Sequence, residues 1–253
     1  MYKRQAFLCD DDIYLEGAVK RILEVTAYNE YVFIALNYYA FLRNKNKVFK
    51  SNFAPEKDVV FRRAYDILNY PSVGHFSGFI FNLSQALKTL DEILSKRNFW
   101  EFEKHRGIVV EVAARVTLNS DLPAYFIGKR LLATRIPEKT DYDSLRHLCI
   151  DSYELFWRLY KEGLINDKDL EYRKKLVLDI LPRAIISNSP QLNSAQWKEI
   201  YLRLNEFFAD KARFRFICKP LLLAGRFYIF KIVFRLIRDS VRFIRRLWQK
   251  LHQ

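Results

Sequence analysis

Short apolar runs rich in β-branched and aromatic residues recur through the first half of the chain. Charged or turn residues bound each run, a pattern typical of the buried strands of a sheet. The predicted strands are residues 6–9, 31–41, 73–82 and 124–137. In the third of them, Gly74 and Gly78 indicate that another part of the chain approaches the backbone closely.

Between these strands, the apolar residues recur at helical spacing. The first such segment places Ala18, Ile22 and Val25 on one face. The second begins with Pro55 and acidic residues, as helices often do. The predicted helices are residues 15–25, 55–68 and 83–94, and residues 107–118 fit a helix or a strand by propensity alone.

Beyond Pro137 only the helical period remains, so the chain is predicted to be mixed α/β in its first half and helical in its second. The predicted helices there are residues 141–163, 168–186 and 194–209. Three parts follow from this pattern: a sheet-containing region, a helical extension and a basic tail. We place them at residues 6–137, 138–210 and 211–253.

The positive charge of the chain is concentrated in the tail. The formal net charge is +14, yet residues 211–253 hold 12 Lys and Arg against one acid, Asp239. The tail therefore carries +11 and the first 210 residues about +3. A nucleic-acid-binding module needs a basic face that is continuous with the body, so we do not expect a nucleic-acid partner.

Composition and cysteine usage limit the class of protein further. Half of the 253 residues are hydrophobic, which is enough for a sizeable core and excludes a disordered chain. The three cysteines lie far apart and form no CxxC pair, so neither a disulfide framework nor a zinc site is indicated. Every apolar run falls well short of the ~20 residues of a membrane-spanning helix. We expect a cytoplasmic location.

Three adjacent aspartates, Asp10 to Asp12, follow the first apolar run. One interpretation is a solvated turn in which Asp12 caps the following helix. The other is a ligand site at the carboxyl end of a strand, where open α/β sheets place their ligands. Adjacent carboxylates repel each other, and a divalent cation reverses that balance. Oxygen ligands favour Mg²⁺ or Mn²⁺, commonly together with substrate phosphates.

Three sequence blocks together resemble a known enzyme family. "FLCDDDIYLEGAVKRILE" resembles the metal-binding DxD segment of family 2 glycosyltransferases with the GT-A fold, a Rossmann-like sheet. "VGHFSGFIFN" resembles the acceptor-side strand of a bacterial subgroup that includes abequosyltransferases, and "AYFIGKRLLATR" resembles its next block. The resemblance covers roughly residues 6–165.

The resemblance implies a nucleotide-sugar donor, a lipid-linked saccharide acceptor and an inverting displacement. It implies that Asp10 and Asp12 hold a divalent metal on the donor diphosphate and that Asp11 faces the sugar. It also implies a base that deprotonates the acceptor hydroxyl. Glu103 is the first candidate and His105 the second, with Glu101 and Glu111 behind them, and an ordinary surface role is the alternative for each.

Other polar residues of these blocks are candidates for the acceptor side. His75, Ser77 and Gly78 are expected to line the acceptor pocket, although a hydrogen-bonded structural histidine is an alternative for His75. Arg130 and Arg135 are candidates for phosphate contacts or ordinary charges near a strand end.

The chain departs from the family pattern at its start. Only nine residues precede Asp10, whereas such enzymes carry about a hundred residues of nucleotide-binding structure there. We therefore expect a truncated GT-A sheet without its N-terminal nucleotide-binding half. A fragment of this kind is expected to have little transferase activity by itself.

Residues 226–251 predict an amphipathic helix. One face carries apolar residues: Phe230, Val233, Ile237, Val241, Ile244, Trp248 and Leu251. The other carries Lys231, Arg235, Arg238, Arg242, Arg245 and Gln249. This division is typical of a helix in anionic lipid headgroups, with about 1 kcal/mol available for each basic residue near the surface. The alternative is that the apolar face packs on the preceding helices.

These observations lead to two hypotheses. The first is a bacterial glycosyltransferase of surface polysaccharide (O-antigen) synthesis, peripheral at the inner face of the membrane. Its membrane-binding residues would be Arg235, Arg238, Arg242, Arg245 and Trp248. The second is a non-catalytic helical protein that binds a membrane surface or a partner.

Overall fold

The computed structural model describes most of the chain, which forms two compact units, Met1–Thr140 and Asp141–Gln253. The described residues are 4–6, 12–41, 50–51, 54–70, 76–95, 108–135, 145–188, 191–227, 230–237 and 239–240. The first unit is mixed α/β, as predicted.

Seven described strands form one sheet in the first unit. They are β1 (Arg4–Ala6), β2 (Asp12–Tyr14), β3 (Phe33–Phe41), β4 (Lys50–Ser51), β5 (Val59–Phe61), β6 (Phe79–Asn82) and β7 (Ala124–Arg135). The order is β1-β6-β3-β7-β2, with β4 also pairing β3 and β5 pairing β7. The long pair β3 and β7 is parallel, and the other pairs are antiparallel. The sheet is therefore built around its two longest strands.

Helices cover the sheet because its central strands carry apolar side chains on both faces. Against α1 (Ala18–Tyr28) one face buries Ile34, Leu36 and Ile80. On the other face the rings of Phe33 and Phe79 lie 5.0 Å apart. The other described helices of the unit are α2 (Leu83–Ser95), α3 (Ile108–Leu118) and 3₁₀ turns at Ala64–Asn69 and Phe76–Gly78.

Several predicted elements are confirmed, one is wrong and one is confirmed in part. Strands β3 and β7 and helix α2 lie where the pattern predicts them, and residues 108–118 are helical. The helix predicted at 55–68 is instead β5 and a 3₁₀ turn, because Val59–Phe61 pair with β7. Of the strand predicted at 73–82, Phe79–Asn82 form β6 and Phe76–Gly78 form a 3₁₀ turn, whereas residues 73–75 lie outside the described residues. Of the strand predicted at 6–9, Ala6 ends β1 and the rest lies outside the described residues.

The second unit is helical, again as predicted. It contains α4 (Ser152–Lys161), α5 (Asp167–Asn188), α6 (Ser194–Phe208) and α7 (Lys219–Ala224), with π-helical turns at Leu145–Asp151 and Phe214–Cys218. Residues 230–237 are also helical. Tyr153, Leu181, Leu204, Phe208 and Phe214 form the centre of its core. Of the helices that the structure describes, none is long and apolar enough to cross a membrane.

Candidate functional site

The third aspartate of the DDD run contacts the predicted acceptor-side block. Asp12 begins β2 at the edge of the sheet and is 7% exposed. Its Oδ2 accepts a hydrogen bond of 2.5 Å from the Ser77 hydroxyl, 65 residues further along the chain. Two of the sequence blocks that carry the family resemblance therefore meet at one buried contact.

Tyr14 completes this contact. Side chains two residues apart lie on the same face of a strand, so Asp12 and Tyr14 both reach Ser77 from β2. The Tyr14 hydroxyl donates to the Ser77 carbonyl at 2.9 Å. Sequence reasoning did not single out Tyr14, although the period-two spacing from Asp12 was a signal.

Gly78 allows the turn that carries Ser77 to lie against β3. A Cβ at Gly78 would lie 3.2 Å from the backbone oxygen of Leu36, tighter than ordinary contact. The close approach that the sequence predicts at Gly78 is therefore present. Ser77 is buried as a result.

Asp12 does not cap a helix. The following helix, α1, begins at Ala18, and its N-cap position is Gly17, whose φ of 80° is left-handed. Asp12 lies six residues before the helix, within a strand. The helix-capping interpretation of Asp12 is therefore wrong for this residue.

The other predicted site residues are divided between the described and undescribed parts of the chain. Asp10, Asp11, His75, Glu101, Glu103 and His105 lie outside the described residues. Glu111, a lesser candidate for the base, is buried on α3 and accepts a hydrogen bond of 3.0 Å from Arg115 Nε. Arg130 forms an ion pair of 2.9 Å with Glu56. Each of these two side chains is therefore engaged with an oppositely charged partner.

A second polar cluster, which sequence reasoning missed, surrounds Asp58. Its Oδ1 accepts from the Gly128 amide at 2.8 Å. Its Oδ2 accepts from the Tyr125 hydroxyl at 2.8 Å and from Arg21 Nη2 at 2.5 Å. Because these groups satisfy one another, we interpret the cluster as structural.

The cluster shifts the pKa values of its members. Burial by itself would raise the pKa of Asp58, but the hydrogen bonds from Gly128, Tyr125 and Arg21 outweigh burial and lower it. Burial, followed by the hydrogen bond to Asp58, raises the pKa of Tyr125 to about 12. The carboxylate is therefore ionised and the phenol neutral at physiological pH.

The metal implied by the resemblance can be tested against one described ligand. Asp12 offers a carboxylate whose orientation is fixed by a hydroxyl, as is common for metal-ligating carboxylates, and oxygen donors suit Mg²⁺ or Mn²⁺. Within the described ranges, no group of three or more His, Cys, Asp or Glu residues is placed to hold a metal ion. The Asp12 carboxylate is thus suited to bind a divalent metal ion, and Asp10, the second predicted ligand, lies outside those ranges.

The basic tail is described only in part. Arg235 is exposed on the helical residues 230–237, whereas Arg238, Arg242, Arg245 and Trp248 lie outside the described side chains. Phe230, Val233 and Ile237, the predicted apolar face, are exposed, and Phe234 is buried instead. In this stretch the predicted apolar face therefore does not pack into the core.

Comparison with known proteins does not assign the chain to a family. No protein-family model matches the chain, and no curated protein matches its sequence. The resemblance to family 2 glycosyltransferases stays a prediction.

Proposed function

We propose that this protein is a metal-dependent, GT-A-type glycosyltransferase of bacterial surface polysaccharide synthesis. It would transfer a sugar from a nucleotide-sugar donor to a lipid-linked saccharide acceptor at the inner face of the membrane. The observation that carries the proposal is the hydrogen bond between Ser77 and Asp12. It joins the DDD block to the acceptor-side block. In a transferase of this kind, the donor binds at the first block and the acceptor at the second, so the two blocks must lie together.

In this proposal each described residue has a distinct task. Asp12, with Asp10, would hold Mg²⁺ or Mn²⁺, which when bound offsets the charge that builds on the departing diphosphate. The Ser77 hydroxyl orients the Asp12 carboxylate, and Tyr14 fixes the Ser77 backbone. Because Ser77 is buried, we assign it a positioning role. Gly78 is buried as well and lies against β3, so the acceptor contacts are left to His75.

Proton removal from the acceptor hydroxyl needs a base near the metal. Glu103 is the first candidate and His105 the second, with Asp11 proposed to face the donor sugar. Glu111 is less suited, since its carboxylate is already paired with Arg115 inside the fold. A positioned base raises the nucleophilicity of a weak alcohol, with a rate effect of roughly 10²- to 10⁴-fold.

The first test is calorimetric titration of the full chain with Mn²⁺, with and without a panel of nucleoside diphosphates. We expect metal uptake that depends on a diphosphate and is lost in an Asp10→Ala, Asp12→Ala double variant. Asp91→Asn removes a carboxylate from an exposed position on α2 and serves as the control. Equal metal uptake by the wild type and the double variant would contradict the proposal.

Ser77→Ala tests the positioning role separately. It removes the hydroxyl that orients Asp12 but leaves the carboxylate in place, so we expect metal affinity to fall by about 10- to 100-fold. Ser84→Ala, at an exposed position on α2, is the matched control. Circular dichroism would verify that both variants fold. Unchanged metal affinity in folded Ser77→Ala would remove Ser77 from the site.

The second candidate function is a non-catalytic protein that binds a membrane surface. The exposed Phe230, Val233 and Ile237 beside Arg235 favour it. The titration separates the two functions, because a non-catalytic protein has no reason to bind Mn²⁺ only in the presence of a diphosphate.

A further inference from the structure

The segment that precedes the predicted tail helix carries an exposed apolar stripe. Phe216, Pro220, Leu223 and Phe227 follow one another at intervals of four, three and four residues, the spacing of one helix face. Phe216 is 78% exposed, Leu223 40% and Phe227 63%. Backbone hydrogen bonds of 3.2 Å from Arg226 to Leu223 and 3.0 Å from Phe227 to Ala224 continue the turn beyond α7. We call these four residues the apolar stripe.

The opposite side of the same segment is anchored in the core of the second unit. Phe214, Cys218 and Leu222 recur at intervals of four residues and are buried. Burial raises the pKa of the Cys218 thiol to about 11, in agreement with an apolar surrounding. Since the buried and exposed residues occupy opposite helix faces, the apolar stripe points away from the core.

Ion pairs hold the start of the segment against α5. Arg213 Nη1 lies 2.5 Å from Asp179 Oδ1, and Lys211 Nζ lies 2.7 Å from Glu171 Oε2. Both acidic partners belong to α5. These contacts oppose a rotation of the segment that would turn the apolar stripe inward.

Basic residues surround the apolar stripe in the sequence. Residues 211–238 include eight Lys and Arg and no Asp or Glu. They are Lys211, Arg213, Arg215, Lys219, Arg226, Lys231, Arg235 and Arg238. Arg215 and Arg226 are exposed. Lys211 and Arg213 are paired with acids of α5, so Arg215 and Arg226 supply the exposed charge beside the apolar stripe. Large exposed apolar side chains beside exposed positive charge match a surface of anionic headgroups over hydrocarbon.

We propose that the apolar stripe is a membrane-docking surface, with Phe216 and Phe227 entering an anionic bilayer and Arg215 and Arg226 contacting its headgroups. This surface adds to the tail residues proposed above and deepens the peripheral location of the proposed function. Membrane docking needs neither a metal nor a sugar, so it can fail or succeed independently of the transferase proposal.

Flotation of the full chain with vesicles tests the apolar stripe. The vesicles contain three parts phosphatidylcholine to one part phosphatidylglycerol, and pure phosphatidylcholine vesicles are the comparison. We expect Phe216→Ala, Phe227→Ala to weaken binding to the anionic vesicles by about tenfold. Leu148→Ala, Leu202→Ala removes exposed apolar groups elsewhere in the same unit and should bind like the wild type. Both pairs are exposed, so neither change should prevent folding.

Two further variants separate the apolar and charged contributions. Phe216→Leu, Phe227→Leu keeps the apolar character and should retain most of the binding. Arg215→Gln, Arg226→Gln should weaken binding at about 0.1 M NaCl but have little effect at about 0.5 M, where charges are screened. Wild-type binding by the double alanine variant of the apolar stripe would overturn the proposal. If the wild type is a dimer and Phe216→Ala, Phe227→Ala makes it a monomer without changing vesicle binding, the apolar stripe contacts a second copy of the chain and the membrane proposal is overturned.

Discussion

Gly128 shows how one residue position is fixed by the surrounding fold. At this point the pairing of β3 with β7 shifts register, between Leu36 and Asn37. The Asn37 side chain donates to the Gly128 carbonyl at 2.8 Å, and the Gly128 amide donates to Asp58 at 2.8 Å. Both backbone groups that the irregular pairing frees are therefore bound by side chains.

Gly128→Ala should destabilise the protein strongly. A Cβ there would lie 2.3 Å from the backbone of Lys57, and backbone cannot move aside as a flexible side chain can. We expect a loss of about 3 kcal/mol in the free energy of unfolding, measured by urea denaturation. Gly17→Ala is the control, because its left-handed φ costs about 1 kcal/mol while nothing lies within 4 Å. If Gly128→Ala and Gly17→Ala lose the same free energy of unfolding, the Lys57 backbone does not lie tightly against position 128.

Asp58 should make stability depend on pH. Burial would raise its pKa, but its hydrogen bonds lower the pKa in the folded state. A group of this kind stabilises the fold above its unfolded pKa of about 3.9, and the stabilisation is lost as pH falls through the folded pKa. Asp58→Asn should therefore be less stable than the wild type at pH 7 and lose less stability on acidification.

Urea unfolding midpoints between pH 7 and the acid range would measure this difference. Asp91→Asn, at an exposed position on α2, is the control and should follow the wild type. Parallel curves for Asp58→Asn and the wild type would contradict the role assigned to the Asp58 cluster.

At the scale of elements, the sequence predicts those helices and strands whose formation depends on the local pattern of apolar residues. The apolar runs of β3 and β7 and the period of α2 and α5 were sufficient to locate these elements. The structure of residues 55–68 was not predicted correctly, because the strand Val59–Phe61 forms through pairing with β7, more than sixty residues away along the chain. The helix signal at Pro55 is local, and the tertiary pairing overrides it.

The candidate site likewise has parts that could be predicted from the sequence and parts that could not. The spacing of Asp12 and Tyr14 on one strand face is a local pattern. Their common contact with Ser77 depends on the sheet order and could be anticipated only through the family resemblance. The Asp58 cluster could not be found from sequence, because it requires both the pairing of β5 with β7 and the irregularity at Gly128.

The start of α6 allows a prediction about a local element. The Asn193 side chain accepts from the Gln196 amide, and the Gln196 side chain accepts from the Asn193 amide, both at 2.9 Å. This capping box satisfies two backbone donors that a helix start leaves free. Asn193→Ala should lower the free energy of unfolding by about 1 kcal/mol.

Chemical denaturation of Asn193→Ala beside Gln191→Ala would check this value. Gln191 is exposed two residues earlier and lies outside the capping box. If both variants lose the same stability, the capping box does not contribute measurably.

At the scale of the whole molecule, the two units have separate cores. Among the described residues, the core cluster of the second unit runs from Leu145 to Leu222. Lys174 and Lys211 further link its helices through Glu171 and Asp210. Since a unit with its own hydrophobic core can in principle fold alone, we expect residues 141–253 to fold as an isolated chain.

The isolated second unit should be helical by circular dichroism and should unfold cooperatively in urea. Leu204→Ala supplies the matched variant, because Leu204 is fully buried in this core. It should lower the free energy of unfolding by about 2–5 kcal/mol through lost burial and the cavity left behind. A gradual, non-cooperative transition with no effect of Leu204→Ala would mean that the core requires residues from the first unit.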